Sequence, residues 1–180
     1  MTREEKIEQA RNRNTPIDVL RKMAVDEDRE VRYAVAENTS TPVDVLVKLS
    51  GDEKGDVRRA VAENTSTPVD VLVKLSVDKD SDVRWGVAQN PNTPVCFLEK
   101  LANDENEDVR WGVTRNPNTP VDVLVKLADD EDKDVRWGVA QNPNFSQEKM
   151  KQELVDTAKA KNADKREAKS ASSFDVNPKI

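Results

Sequence analysis

The amino-acid sequence predicts an all-α protein, a solenoid built from helical repeats of 26 residues. Three columns of residues share this period: a proline preceded by threonine at 16, 42, 68, 94 and 120, an asparagine at 12, 38, 64, 90, 116 and 142, and an arginine at 32, 58, 84, 110 and 136. Apolar residues and charged residues each make up 36% of the chain, and aromatic residues make up 4%. That balance suits a solenoid, because each repeat buries only a thin stripe against its neighbours.

The first helix of each repeat is expected to begin at a recurring aspartate. One repeat, starting at Asp82, has the sequence DVRWGVAQNPNTPVCFLEKLANDENE. The carboxylate of Asp82 is suited to cap the free amides of a first turn. The helix should end at Asn90, because the residue before a proline resists the helical conformation. At about 100° per residue, Val83, Gly86, Val87 and Asn90 share one face, which is the expected buried stripe.

The second helix is expected to have Thr93 as its N-cap and Pro94 at the first helical position, where the missing amide costs nothing. Leu98 and Leu101 follow with a helical apolar spacing, and an acidic loop closes the repeat. Helices of about eight residues do not persist alone in water, so their stability must come from stacking.

The ends of the array predict polar caps. The helical repeat solenoid is expected over residues 1–145, with an N-terminal cap helix at residues 2–11 and about five repeats over residues 12–144. Thr2 and Glu5 have the spacing of a capping box in that first helix. A C-terminal capping helix is predicted for residues 146–168, and a flexible tail for residues 169–180.

The repeat resembles those of the leucine-rich repeat variant family. The resemblance rests on VRWGVAQNPNTPVDVLVKLADDED, assembled from the copies around residues 83–94 and 120–132, and its pattern recurs over residues 12–144. It implies a right-handed superhelix of alternating α and short 3₁₀-like helices without β-sheet. HEAT-type solenoids are more distantly similar. The first-described family architecture adds an iron–sulfur domain, which nothing in this sequence matches, so no cofactor is predicted.

The composition narrows the function. Cys96 is the only cysteine and histidine is absent, so one chain cannot build a Cys/His zinc site, a cysteine-held iron–sulfur cluster or a histidine base. The net charge of -6 disfavours nucleic acid, whose phosphates need clustered Lys and Arg. The sequence has no signal-peptide core and no apolar run of ~20 residues. A cytoplasmic protein that is neither an enzyme nor membrane-bound is therefore expected.

One column of positions is the candidate binding surface. Trp85 falls about 200° from Val83 on the helical wheel, opposite the buried stripe. Its column consists of Tyr33, Arg59, Trp85, Trp111 and Trp137, and Glu63, Gln89, Arg115 and Gln141 flank it. Aligned exposed aromatics offer a partner a large rigid contact area. The alternative is packing: each tryptophan precedes a glycine, which costs ~1 kcal/mol in a helix, and an indole lying over the glycine of an adjacent repeat would compensate.

The other polar columns have structural interpretations. The arginine column is interpreted as a ladder of salt bridges to Asp44, Asp70 or the acidic loops, with an anion-binding stripe as the alternative. The asparagine amides are expected to bond the backbone of adjacent turns. Residues 78–82 place oxygens at alternate positions but lack the later glycine and glutamate of a calcium loop, so no metal site is predicted. Cys96 is interpreted as an ordinary outward substitution.

The predicted function is a non-catalytic scaffold for macromolecular interaction, with a protein or peptide of basic character as the partner. Two alternatives stay open. One is a HEAT-like nucleic-acid-binding protein or DNA glycosylase that uses the Trp and Arg columns. The other is a purely structural or oligomerisation element. The sequence does not fix the oligomeric state.

Overall fold

The computed structural model describes residues 1–146 and residue 152, and it shows the predicted all-helical repeat architecture. Eleven helices lie wholly within these residues, which contain no strand. Long helices alternate with short ones. The long helices are α1 (Arg3–Arg11), α3 (Arg29–Glu37), α5 (Gly55–Glu63), α7 (Ser81–Gln89), α9 (Glu107–Arg115) and α11 (Lys133–Gln141). The short helices are α2 (Ile17–Met23), α4 (Val43–Leu49), α6 (Val69–Leu75), α8 (Val95–Leu101) and α10 (Val121–Leu127).

The long helices form the spine of the array. Each packs on the next, and each short helix packs against the long helices before and after it. The predicted face of α7 is buried, and valines of the long helices meet leucines of the short helices in one core. Ala88, which the helical wheel placed off that face, is fully buried as well, because the next long helix covers it.

The long helices begin slightly earlier than expected. Helix α7 starts at Ser81, and its N-cap is Asp80, whose side chain accepts the amide of Asp82. Asp82 therefore lies in the first turn, and its predicted role as N-cap is wrong. The predicted end is confirmed, because Asn90 is the C-cap in an extended conformation.

The short helices differ from expectation at their start and in their type. Pro94 is the N-cap of α8. Thr93 does not cap, since its hydroxyl donates instead to the carbonyl of Val87 at 2.6 Å, closing the preceding helix. The resemblance implied 3₁₀-like helices, but the described short helices are α-helical. Bonds of 3₁₀ type occur at the ends, as from the Phe97 amide to the Pro94 carbonyl at 2.9 Å.

The N-terminal helix carries the capping box that its sequence indicates. The Glu5 amide donates to the Thr2 hydroxyl at 3.2 Å, and the Thr2 amide donates to the Glu5 carboxylate at 2.8 Å. At the other end, the helix predicted for residues 146–168 lies outside the described residues except for residues 146 and 152. The tail predicted for residues 169–180 lies outside them entirely.

A buried asparagine joins each repeat to the one before it, as the sequence predicts. Asn90 donates from Nδ2 to the carbonyls of Ala62 at 2.7 Å and Asn64 at 3.0 Å, and its Oδ1 accepts the amide of Asn92 at 2.9 Å. The same three bonds recur at Asn38, Asn64, Asn116 and Asn142. Each side chain therefore satisfies one carbonyl in the last turn of the preceding long helix, and it adds a second donor to the C-cap carbonyl, which also accepts a threonine amide.

We expect Asn90→Ala to lower the free energy of unfolding by about 2–3 kcal/mol, because it leaves the buried Ala62 carbonyl and the Asn92 amide without the partner that Asn90 supplies. Urea denaturation followed by circular dichroism measures the loss. Asn92→Ala is the matched control, since Asn92 is exposed and donates one side-chain bond, to Thr65; it should change the free energy by less than about 0.5 kcal/mol. Equal losses in the two variants would contradict the role given to the buried amide.

Candidate functional site

The aromatic column, defined as Tyr33, Arg59, Trp85, Trp111 and Trp137, places one residue on each of five successive long helices. Its exposure is uneven along the array. The first four side chains are half-buried, whereas Trp137 is 55% exposed. The column is therefore a continuous strip whose last indole is the most accessible.

Two of the indoles pack over glycines of the following repeat. A Cβ placed on Gly112 would lie 3.1 Å from Cδ1 of Trp85, and one placed on Gly138 would lie 3.1 Å from Cδ1 of Trp111. Ala88 occupies the same space, because its Cβ lies 3.1 Å from the position of a Cβ placed on Gly112. The packing interpretation is thus confirmed for Trp85 and Trp111. It also explains why Trp85 is half-buried although the wheel set it opposite the core.

Arginines of the chain lie over both of these indoles. The guanidinium of Arg59 is 4.6 Å from the ring centre of Trp85, and that of Arg115 is 5.0 Å from the ring centre of Trp111. Arg59 also donates to Glu63 at 2.8 Å. These are cation–π distances, so the column already binds guanidinium groups of its own chain.

Tyr33 takes a different role at the start of the column. Burial, reinforced by a hydrogen bond to Glu37, raises the pKa of Tyr33 to about 12. Its hydroxyl therefore stays neutral at physiological pH, and the ring contributes apolar surface and no charge.

Clefts lie between successive members of the column. One of about 230 Å³ is lined by Arg59, Asp82, Trp85, Asp108 and Trp111. Another of about 340 Å³ is lined by Glu107, Asp108, Trp111, Asp132, Asp134 and Trp137. The predicted flanking residues Gln89, Arg115 and Gln141 line two further clefts, of about 260 and 160 Å³, on the other edge of the column. The structure thus brings all the predicted site residues from Arg59 onward to one strip.

Sequence reasoning missed the acidic edge of this strip. Asp82, Asp108 and Asp134 recur one residue before each Val-Arg pair and line the clefts beside the indoles. The signal was present as a fourth column with the same period. The sequence analysis assigns these aspartates to helix caps. In the structure, Asp80 and Asp132 cap α7 and α11, and Asp82 and Asp134 line the clefts instead.

The arginine column is a ladder of ion pairs. Arg84 donates from Nε and Nη2 to Asp104 at 2.7 and 2.9 Å, and from Nη1 to the carbonyl of Asp78 at 2.8 Å. Arg32, Arg58 and Arg110 pair in the same way with Asp52, Asp78 and Asp130. The partners are loop aspartates rather than Asp44 or Asp70. Because these four guanidinium groups are engaged, the anion-binding alternative is wrong for them.

The pKa of each loop aspartate in the ladder is lowered from its ordinary value. Burial opposes ionisation of Asp104, but the hydrogen bonds from Arg84 and from the Asn106 amide outweigh it and hold the pKa of Asp104 below its ordinary value. Asp78 belongs to the loop that resembled a calcium site, and its carboxylate is taken by Arg58 at 2.8 Å. Among the described residues, no three His, Cys, Asp or Glu side chains are arranged to hold a metal ion.

Two further features were checked against the described residues. Cys96 is exposed on α8, as expected. No helix in the described part of the chain is both long and apolar enough to cross a membrane.

Comparisons with known proteins agree with the repeat geometry. A family model described as leucine rich repeat variant matches residues 55–80. A solved structure described as a leucine-rich repeat variant with a novel repetitive structural motif is 28% identical, with a TM-score of 0.60, over 78% of this chain and 55% of its own. The array is thus similar in sequence and in fold to leucine-rich repeat variants.

Two other comparisons concern the array as a whole. The array spans only about half the length of the solved relative, 55%. A crystal structure of an engineered protein shares the fold, with a TM-score of 0.51 and 22% identity over 79% of this chain and 88% of its own. No curated protein matches the sequence.

We expect Gly112→Ala to destabilise the protein by about 1–3 kcal/mol, because the new methyl group meets Ala88 and Trp85. Helix propensity alone predicts the opposite sign, a gain of about 1 kcal/mol. Gly51→Ala is the control, since its nearest neighbours would lie at 3.6 and 3.9 Å. Thermal unfolding distinguishes the two effects: a Gly112→Ala variant more stable than wild type would show that the indole does not need the glycine.

We also expect Asp104→Asn to lower the free energy of unfolding by about 3 kcal/mol at pH 7, because the 12% exposed Arg84 side chain loses its close carboxylate and keeps only the 3.9 Å pair with exposed Glu105. The folded-state pKa of Asp104 is lowered, so its contribution is present above about pH 4 and is lost as the pH falls through the folded value. Melting temperatures of wild type and variant should therefore converge as the pH falls below about 4. The control variant Asp122→Asn, at an exposed position, should have the melting temperature of wild type at every pH. A difference in melting temperature between Asp104→Asn and wild type that did not change with pH would contradict the ion-pair ladder.

Proposed function

We propose that this leucine-rich repeat variant array is a non-catalytic scaffold that binds an extended segment of another protein along the aromatic column. The observation that carries the proposal is the alignment of three indoles, with a cleft between each successive pair. Aromatic side chains with two rotatable bonds provide contact area at low entropic cost. Clefts that recur along the array suit a partner in extended conformation, since such a segment meets one after another.

A protein partner fits the charge of this surface better than nucleic acid does. The clefts are edged by Asp82, Asp108 and Asp134, and the whole chain carries a net charge of -6. Phosphate groups would be repelled here, and the arginines Arg58, Arg84 and Arg110 that could attract them are paired with aspartates. The acidic edge instead favours a segment rich in Lys and Arg.

Binding rather than catalysis fits the chemistry of the described residues. The buried acids of lowered pKa, such as Asp78 and Asp104, are held by arginines and contact no cleft beside the indoles. Cleft residues such as Asp108 and Trp137 are placed to contact a ligand. The surface thus offers shape and charge, which are the requirements of recognition.

Site-specific photocrosslinking tests this proposal. A benzoylphenylalanine at Gln141, which is exposed beside Trp137, should link the full chain to a protein identified by mass spectrometry from a lysate of the source cells. The same probe at Val125, which is 55% exposed on α10, should not yield that product. Trp137→Ala should weaken the product at least tenfold, and because Trp137 is 55% exposed it should change the free energy of unfolding by less than about 1 kcal/mol.

Three outcomes would overturn the proposal. Identical products from both probe positions would mean that the capture is unspecific. A product that survives Trp137→Ala would mean that the column is not the binding surface. A link only to a second copy of this chain would favour the structural or oligomerisation alternative.

A further inference from the structure

The two covered indoles show which ligand this surface takes. Trp85 is covered by Arg59 from the preceding repeat, and Trp111 is covered by Arg115 from the next turn of its own helix. Both cations are arginines, although lysines are also present in the chain. The planar guanidinium stacks on an indole and keeps its edge free for hydrogen bonds.

Trp137 has the position of these indoles but lacks both arginines. The residue that corresponds to Arg59 is Trp111, and the residue that corresponds to Arg115 is Gln141. No cation of the described residues lies over the Trp137 ring, which is 55% exposed. The last indole of the column is thus the one left without a guanidinium.

The cleft beside Trp137 also carries an uncompensated negative charge. Four carboxylates line it, those of Glu107, Asp108, Asp132 and Asp134. None of them takes part in an ion pair within the described residues. In the equivalent cleft one repeat earlier, two carboxylates are accompanied by the guanidinium of Arg59. Within residues 1–146, the cleft at Trp137 is lined by more carboxylates than the earlier cleft and by no cation.

We propose that the cleft between Trp111 and Trp137 binds the guanidinium group of an arginine side chain from the partner segment. The inference rests on the proposed function and names the chemistry that the column recognises. The incoming guanidinium stacks on Trp137, as Arg59 does on Trp85, and donates from its edge to Asp134 and Glu107. A volume of about 340 Å³ is at the small end of ligand sites and has room for one such side chain.

Nuclear magnetic resonance tests the inference on the full chain. The protein has three tryptophans, so its indole N–H groups give three signals, which the single Trp→Phe variants assign. The probes are three nine-residue peptides of glycine and serine that carry one arginine, one lysine or one citrulline at the centre. Citrulline has the shape of arginine but no charge, so it separates the electrostatic contribution from simple packing.

We expect the arginine peptide to shift the Trp137 indole signal saturably, with a dissociation constant near ~1 mM. The lysine peptide should bind several-fold more weakly, since its ammonium neither stacks nor donates in a fork. The citrulline peptide should leave the signal unchanged. Raising the salt concentration should weaken binding of the arginine peptide, because the cleft is open to solvent.

Paired charge variants locate the binding. Glu107→Gln with Asp134→Asn should weaken the arginine peptide about tenfold. Glu99→Gln with Asp129→Asn changes the net charge equally at exposed positions that line none of these clefts, and it should leave the affinity unchanged. Equal binding of arginine and citrulline, equal effects of the two double variants, or a response at Trp85 in place of Trp137 would each overturn the inference.

The result is separable from the test of the scaffold proposal. A crosslinked partner at Gln141 together with no preference for arginine over citrulline would contradict the arginine site and still support the scaffold proposal. A specific arginine response with no Trp137-dependent protein partner would contradict the scaffold proposal and support the arginine site.

Discussion

In this array, one buried side-chain amide per repeat sets the position of everything else. Asn90 reaches back with a single Nδ2 to two carbonyls of the preceding repeat, at 2.7 and 3.0 Å. An amide with two donors and a fixed plane can do this in only one relative placement of the two repeats. The helices are only nine and seven residues long, so hydrophobic packing alone would leave room for them to slide. The asparagine removes that freedom at each step.

The arginine ladder fixes the other side of each step. Arg84 binds Asp104 after the following short helix, and its Nη1 returns to the carbonyl of Asp78 before its own helix. One guanidinium therefore connects the two acidic loops that bracket a repeat. With an amide at one end of the long helix and a guanidinium near the other, successive helices are held in the same relative orientation. This repeated orientation aligns Trp85, Trp111 and Trp137 and gives the clefts between them their similar form.

Much of this fold follows from periodicity in the sequence. The period, the helix end at Asn90 and the buried face that includes Val83 and Val87 are all local properties, and the structure confirms them. What the sequence could not supply are pairings between residues some 20 to 28 positions apart. The partner of Arg84 depends on how one repeat lies on the next. A helical wheel describes one helix alone, so it placed Trp85 in solvent and left out its contact with Gly112.

Each column residue is paired with the glycine or alanine of the following repeat, so neighbouring repeats have to match each other sterically. Tyr33 precedes the repeat with Ala60, whereas Arg59, Trp85 and Trp111 precede repeats with Gly86, Gly112 and Gly138. In the glycine-bearing repeats, the space that a methyl group would need is taken by atoms of the preceding helix. Repeats are therefore not interchangeable modules, because each carries half of a junction whose other half belongs to its neighbour. Duplication can lengthen such an array when it copies a tryptophan together with the glycine that follows one repeat later. Exchanging single repeats would separate a tryptophan from its glycine and place a methyl group where the preceding helix already lies.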